Sequence, residues 1–294
     1  MSNIAKNYYR VLEIISSLNC ELEYHSLVGR KQKMSDLEVV ALSLTAEFMS
    51  IDSENSLFKL VSQSEIPNLI ERSQFNKRRR KLFLFSEKIR AKLASAFVNF
   101  EDYFIVDSMP LEICKFSRHN RIKICKNDFE TAPSKGFCAS QNTWFYGYKL
   151  HGVCSVTGVF HSLDITKAEV HDIHFLKNIK QQMSDCVVIG DKGYLSEVIQ
   201  LDLFQTVNIK IETPKRRNQK GAKKQPYIFR KSRKRIETLF SQLCDQFLIR
   251  RNYAKTFEGF KTRILAKITA LTLVQYVNKF IFGRPINNIK NQII

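Results

Sequence analysis

No Cys-x-x-Cys pair occurs among the seven cysteines, which are odd in number and far apart. This pattern argues against a disulfide framework and suits thiols kept reduced in a cytoplasm. Cys114, His119, Cys125 and Cys138 could be strung together as a zinc site, but their spacings match no common zinc pattern and they read as scattered. The sequence also lacks the run of about 20 apolar residues that a membrane-spanning helix needs. Its best candidate, residues 264–274, is short and carries Lys267. The N-terminus, with Lys6, Arg10 and Glu13, has no signal-peptide apolar core. These absences predict a protein that stays where it is made and does not enter a membrane.

Acidic residues are in short supply. Against 47 Lys+Arg there are 28 Asp+Glu, a formal net charge of +19. Such an excess concerns association rather than fold. A polyanion is the expected partner, and the phosphate backbone of nucleic acid is the densest common one. Binding to acidic membrane lipids is the competing reading of charge alone. A chain of 294 residues, 44% of them hydrophobic, suggests about two domains with buried cores.

Residues 1–98 read as helical. Ser35-Asp36-Leu37-Glu38 has the form of a capping box, with a cap hydroxyl and a glutamate three residues on. Leu37, Val40, Ala41, Leu44 and Phe48 then recur at helical spacing. Further on, Lys77, Arg78, Arg79, Arg80 and Lys81 form five consecutive cations. A short helical region ending in such a cluster suits a helix-turn-helix-like DNA-binding domain whose cations meet phosphates. A solvated basic face on an ordinary bundle is the alternative.

From residue 99 the texture changes to α/β. Tyr103-Phe104-Ile105-Val106 reads as a buried strand, and residues 144–156 and 159–165 as two strands around the Thr157-Gly158 turn. Residues 116–143 are polar and basic and read as a loop, whereas 169–183 are helix-compatible. Cys186-Val187-Val188-Ile189 is a second buried strand, and residues 208–211 a short last one. Between Lys210 and Arg235 there are twelve Lys/Arg against the single acid Glu212. Pro214, Gly221 and Pro226 make most of this a basic loop, at about 212–231, of the kind that forms nucleic-acid arms. Arg216, Arg217, Lys223, Lys224 and Arg230 are its candidate DNA contacts, with Arg233 and Arg235 beyond it. A helix is expected from about Ser232 and another over 257–282, the latter with Phe260, Ile264, Ile268, Leu271, Val274 and Val277 as its stripe.

Three acids occupy unusual places. Asp107 directly follows Phe104-Ile105-Val106, and Asp191 follows Val187-Val188-Ile189-Gly190. An ionised carboxylate at the end of a buried strand is costly unless a cation joins it. Two of them on one sheet can converge on a hard cation such as Mg²⁺. Glu237 lies on the expected helix whose stripe is Ile236, Leu239, Phe240, Leu243 and Phe247. At about 100° per residue it falls beside the stripe, with Arg233 one turn earlier on the same flank. Singly, each acid also fits a turn, cap or solvated role. Jointly, carboxylates on strand, strand and helix suit two-metal chemistry at phosphorus, where no covalent nucleophile is needed.

At this point the sequence resembles the DDE transposases of bacterial insertion sequences, most of all insertion-sequence family nine-eighty-two. The residues that carry the resemblance are Ile105-Val106-Asp107-Ser108-Met109-Pro110, Tyr146-Gly147-Tyr148-Lys149-Leu150-His151, Ala168-Glu169-Val170-His171-Asp172, Ile189-Gly190-Asp191-Lys192-Gly193-Tyr194 and Arg233-Lys234-Arg235-Ile236-Glu237-Thr238-Leu239-Phe240. Arg263-Ile264-Leu265-Ala266-Lys267 extends it towards the C-terminus. Related transposases carry a Tyr-Arg-Glu-Lys signature. Here Arg233 stands in place, but Arg230 replaces the Tyr and Cys244 the Lys, which argues against the subgroup that the full signature defines.

The resemblance implies an RNase H-like mixed sheet with flanking helices over 99–294, preceded by the helical DNA-binding domain of 1–98. It implies that Asp107, Asp191 and Glu237 form the acidic triad that binds two Mg²⁺ or Mn²⁺ ions. Double-stranded DNA, both element ends and target, is the implied partner, held by at least a homodimer in a bacterial cytoplasm beside the nucleoid. Lys149, His151 and Lys192 are candidates for DNA contact or for the active-site edge, whereas His171 and Asp172 read as structural. A nuclease that cuts without joining, and a DNA-binding protein or decayed transposase that no longer cuts, remain as alternatives.

Overall fold

The computed structural model describes residues 2–20, 32–97, 102–214, 226–290 and 293. Its contacts divide the chain into two compact units, Met1–Ala96 with Leu243–Ile294, and Phe97–Gln242. Residues 243–294, expected within the catalytic domain, therefore pack with the N-terminal helices.

The helical unit contains α1 (Asn3–Ser17), α2 (Asp36–Phe48), α3 (Glu54–Leu60), α4 (Arg72–Lys81), α5 (Phe83–Ser95) and, after the sheet unit, α9 (Phe257–Tyr276). The capping box forms as the sequence predicts: Glu38 N–H donates to Ser35 Oγ at 3.2 Å, and Ser35 N–H to Glu38 Oε2 at 2.5 Å. Thr256 caps α9 by accepting from Gly259 N–H at 3.2 Å. This helix is buried on nearly every side, with α2, α4 and α5 around it. Residues 257–281 are long and apolar enough to cross a membrane, but most of that surface is covered within the unit. That covering explains why 243–294 belong here: a helix apolar all round must find helical partners on several sides.

One polar group stands at the centre of this core. Glu47 of α2 is buried, and its Oε2 accepts from Lys267 Nζ of α9 at 2.5 Å. Its Oε1 accepts from Arg79 of α4 at 2.9 Å, with Arg263 Nε 3.9 Å away. Lys267 donates also to Phe247 O at 2.7 Å. Burial alone would raise the Glu47 carboxyl, but Lys267, Arg79 and Arg263 together hold it below its ordinary range.

Among the described residues the sheet unit has six strands: β1 (Tyr103–Cys114), β2 (Ser134–Cys138), β3 (Thr143–Ser155), β4 (Phe160–Lys167), β5 (Cys186–Ile189) and β6 (Ile209–Glu212). β3 runs antiparallel to β1 on one side. On its other side lie β2, along residues 143–147, and β4, along 148–154. β5 runs parallel to β1, and β6 parallel to β5. An antiparallel β4-β3-β1 set continued by two parallel strands is the RNase H-like arrangement, with short helical elements and α7 (Glu197–Val207) supplying the crossovers. One face, with Phe104, Val106 and Val188, packs against Phe175, Leu176 and Ile179 of α6 (Leu176–Ile179) and its approach, and against Leu203 of α7. The opposite face carries Ile105 and Ile189, which are also buried. There Phe160 meets Phe240 of α8 (Tyr227–Asp245), ring centroids 5.9 Å apart. β2 lies in the stretch expected to be loop, and α8 starts at Tyr227, ahead of Ser232.

Candidate active site

The strand register places two of the three expected carboxylates side by side. Ile105 of β1 pairs in parallel with Ile189 of β5. Asp107 and Asp191 each follow two residues later, and with the two-residue side-chain period of extended chain they share the same level and face. That face is the one α8 covers. Asp107 Oδ accepts from Ser108 N–H at 2.8 Å. Asp191 caps the short 3₁₀ turn Lys192–Tyr194 by accepting from Gly193 N–H at 2.7 Å.

A further carboxylate joins them. Asp172 opens the 3₁₀ turn Asp172–Phe175, and its Oδ1 accepts from Lys149 Nζ at 2.9 Å. Lys149 donates as well to Val170 O at 2.9 Å, so the pair is pinned from two sides. Gly193 shows how close the acids come. A Cβ there would stand 2.9 Å from Asp191 Oδ1 and 3.8 Å from Asp172 Oδ2. A side chain at 193 would fill the space between the two carboxylates.

Asp107 responds to this crowding. Burial pushes its carboxyl up to about 7, and the charges of Asp191 and Asp172 add to the rise, while the Ser108 amide and Arg233 of α8 oppose it. The buried Tyr194 hydroxyl is raised well above its ordinary value, first by burial and then by Asp172, Asp107 and Asp191. His151, opposite Ser108 on β3, is fully buried, with Nε2 2.8 Å from Thr166 Oγ1 and the ring stacked on Phe175. Burial lowers it to about 4 despite Asp172 and Asp164, so it stays neutral.

Glu237 lies on α8 as expected, but it is exposed. Among the described residues no three His, Cys, Asp or Glu side chains close into a metal-holding group. What the structure brings together is Asp107, Asp191, Asp172 and, from α8, Arg233. All the acidic donors are oxygen, and burial together with the neighbouring acids raises the Asp107 carboxyl. In donor type and in charge the site fits a hard divalent cation.

The expected DNA contacts separate into three groups. Arg79 is buried on Glu47 and Glu54, and Arg78 is paired with Asp36 while donating to Met34 O. Both are committed to the protein, because Arg79 follows the buried Phe75 by one helical turn and so faces inward. Lys149 is tied to Asp172, and His151 is sealed in; neither is presented to solvent as a DNA contact would be. Lys77, Lys81, Lys192 and Arg230 are exposed, and Arg80, Arg233 and Arg235 are half-buried, Arg235 lying against Gly158. Arg216, Arg217, Lys223 and Lys224 fall outside the described residues. Sequence reading took Asp172 as structural. The available signal was an acid that follows His171 at the start of a turn, with no apolar run before it.

No curated protein matches the chain. Among solved structures, the Mos1 transposase paired-end complex with left transposon end is similar at 13% identity, over 88% of this chain and 85% of that one, with a TM-score of 0.23. The family described as Transposase DDE domain matches residues 99–273, which contain β1, β5, α8 and the acids Asp107, Asp172, Asp191 and Glu237. That match takes in more than half of the sequence, and the chain belongs to the DDE transposase domain family.

Proposed function

We propose that the protein is the transposase of an insertion sequence, of family nine-eighty-two, which binds the element's terminal inverted repeats and catalyses metal-dependent strand cleavage and strand transfer. The observation that carries the chemistry is the placing of Asp107 and Asp191 two residues past the paired Ile105 and Ile189 of adjacent parallel strands, where burial and the neighbouring acids hold the Asp107 carboxyl up to about 7. Asp107 and Asp191 would hold two Mg²⁺ or Mn²⁺ ions from the sheet, and Glu237 would join them from α8. Ions held there supply an activated water or 3′-hydroxyl and stabilise the leaving oxygen during in-line displacement at phosphorus.

The chain's own residues set the stage for that step. Ser108 N–H fixes the rotation of the Asp107 carboxylate, and Gly193 N–H that of Asp191, so both keep a defined set of lone pairs free. Arg233, a cation that acts on Asp107, suits contact with a non-bridging phosphate oxygen. Lys149 keeps Asp172 in place beside Gly193. The net charge of +19 draws duplex DNA, both element ends and target, by counterion release. Two ends must meet before joining, so the working form is at least a homodimer on DNA, in the cytoplasm.

The test is a cleavage and strand-transfer assay on a labelled duplex carrying the element's ends, in Mg²⁺ or Mn²⁺, with Asp191→Ala beside the wild type. The expected result is joined product from the wild type and binding without cleavage from the variant. Cutting without joining would make the protein a nuclease. Binding by both with cleavage by neither would reduce it to a DNA-binding protein.

A further inference from the structure

The β2–β3 hairpin leaves large aromatic rings in water. Phe137 and Trp144 stand directly opposite each other across the ladder, centroids 5.3 Å apart. They are 45% and 59% exposed. Cross-strand aromatic pairs stabilise hairpins modestly, but that role does not require the rings to stay uncovered. The row continues inward. Tyr146, two residues after Trp144, meets His119 at 5.7 Å, and His119 stacks nearly parallel on Phe116 at 5.0 Å. Phe129, 85% exposed, lies nearby in the chain, 5.0 Å from Lys167 Nζ.

Cations surround these rings. Lys135 is exposed and sits opposite Tyr146 in the ladder, and Lys126 Nζ stands 5.5 Å over the Tyr146 ring. Lys115, Arg118, Arg121 and Lys123 belong to the same stretch, in which the acids are Asp128 and Glu130. Protein–protein interface cores enrich aromatics but exclude charge, and Lys above all. Aromatic faces interleaved with lysines suit a strand of nucleic acid, whose bases stack while its phosphates are neutralised. Bases inside a duplex already have both faces covered, so rings like these find partners among unpaired bases.

Resting on the transposase reading, we propose that the β2–β3 hairpin is a stacking platform for unpaired bases of the DNA that the protein cuts, with Trp144 and Phe137 as the stacking pair. Trp144 and Gly152 are eight residues apart on β3, and Gly152 pairs with Asp107. At the rise of a strand this sets the platform roughly 26 Å from Asp107 along the sheet. That distance equals about seven to eight nucleotides of one strand at B-form rise.

Trp144 is the only tryptophan, so its emission reports on the platform alone. The full-length protein would be titrated with oligothymidylate about a dozen residues long, and separately with a duplex of equal length. The expected result is strong quenching by the single strand and weak quenching by the duplex. Phe137→Ala should weaken the single-strand titration roughly tenfold, and Trp144→Ala should weaken labelled oligothymidylate binding by a similar factor in anisotropy. Duplex affinity should hold within about twofold, with circular dichroism confirming that both variants are folded. Unchanged single-strand binding in both variants would overturn the proposal, as would equal loss on duplex. Emission blind to DNA, together with loss of self-association in Trp144→Ala, would assign the rings to a second copy of the chain instead. In each of those cases duplex binding and cleavage by the wild type leave the transposase reading standing. Failure to bind either form of DNA would bring both down.

Discussion

Glu47 and Asp107 are both carboxylates that folding withdraws from water, Glu47 wholly and Asp107 in large part, one on a helix of the helical unit and one on the central strand of the sheet unit. Their ionisation moves in opposite directions. Burial would raise both. Around Glu47 stand Lys267, Arg79 and Arg263, and its carboxyl ends below the ordinary range. Around Asp107 stand Asp191 and Asp172, opposed by the Ser108 amide and Arg233, and its carboxyl ends at about 7. A buried acid whose charge the protein itself balances is part of the architecture. A buried acid left among other acids is a place where something from outside must supply the balance.

The largest effect should come from breaking the balanced set. Lys267→Met leaves Glu47 buried beside cations that are farther away or shared, and removal of one partner of a buried pair costs roughly 3–5 kcal/mol. Chemical denaturation should show that loss in the helical unit. A drop below about 1 kcal/mol would mean that the Glu47 site is not the centre of that core.

Asp107→Asn should do the reverse. The charge it removes destabilises the fold when ionised, because the folded value of about 7 lies above the ordinary 3.8. That penalty is absent below the ordinary value, grows as pH rises and is complete above about 7. The variant should therefore be more stable than wild type at pH 8 by about 1–3 kcal/mol, after allowance for partial solvent screening, and equal to it near pH 4. Cleavage should fall by two to three orders of magnitude, roughly, with the metal site gone. A variant that loses stability at pH 8 would show Asp107 to be structural.

The smallest effect sharpens the contrast through a cation. Binding to the sheet carboxylates requires an ionised Asp107, so Mn²⁺ affinity should fall as pH drops below about 7, by up to roughly tenfold per unit. Above that pH it should level off. Calorimetry in buffers of different ionisation heat would show proton release near pH 6 and little at pH 8.

Much of this was legible in the chain, for identifiable reasons. Apolar β-branched runs ending in Asp107 and Asp191 gave both strands and both acids, because a charge after such a run is costly unless used. The Ser35–Glu38 box forms because its signal is wholly local. The rest depended on contacts distant in sequence. Arg78 and Arg79 read as part of a cationic run, yet Phe75, Arg79 and Leu82 lie at helical spacing on one buried face. Glu47 late in α2 and Lys267 in the middle of α9 were each visible among apolar neighbours, but nothing in the chain says that they meet. Asp172 carries no pattern of its own. β2 is a short strand in basic sequence, held to the sheet by β3, so no period of its own marks it.

The helical unit is made from residues 1–96 and 243–294, with the whole sheet unit between them in the chain. That connectivity has a consequence during translation. Glu47 leaves the ribosome 220 residues ahead of Lys267. At about 5–20 residues per second this is a wait of roughly 10–40 s, during which α2 and α5 lack the helix that covers them. A nascent chain halted after the sheet unit would hold Asp107 and Asp191 on a finished sheet and no finished helical unit. A premature stop codon near the end of the gene therefore undoes its beginning.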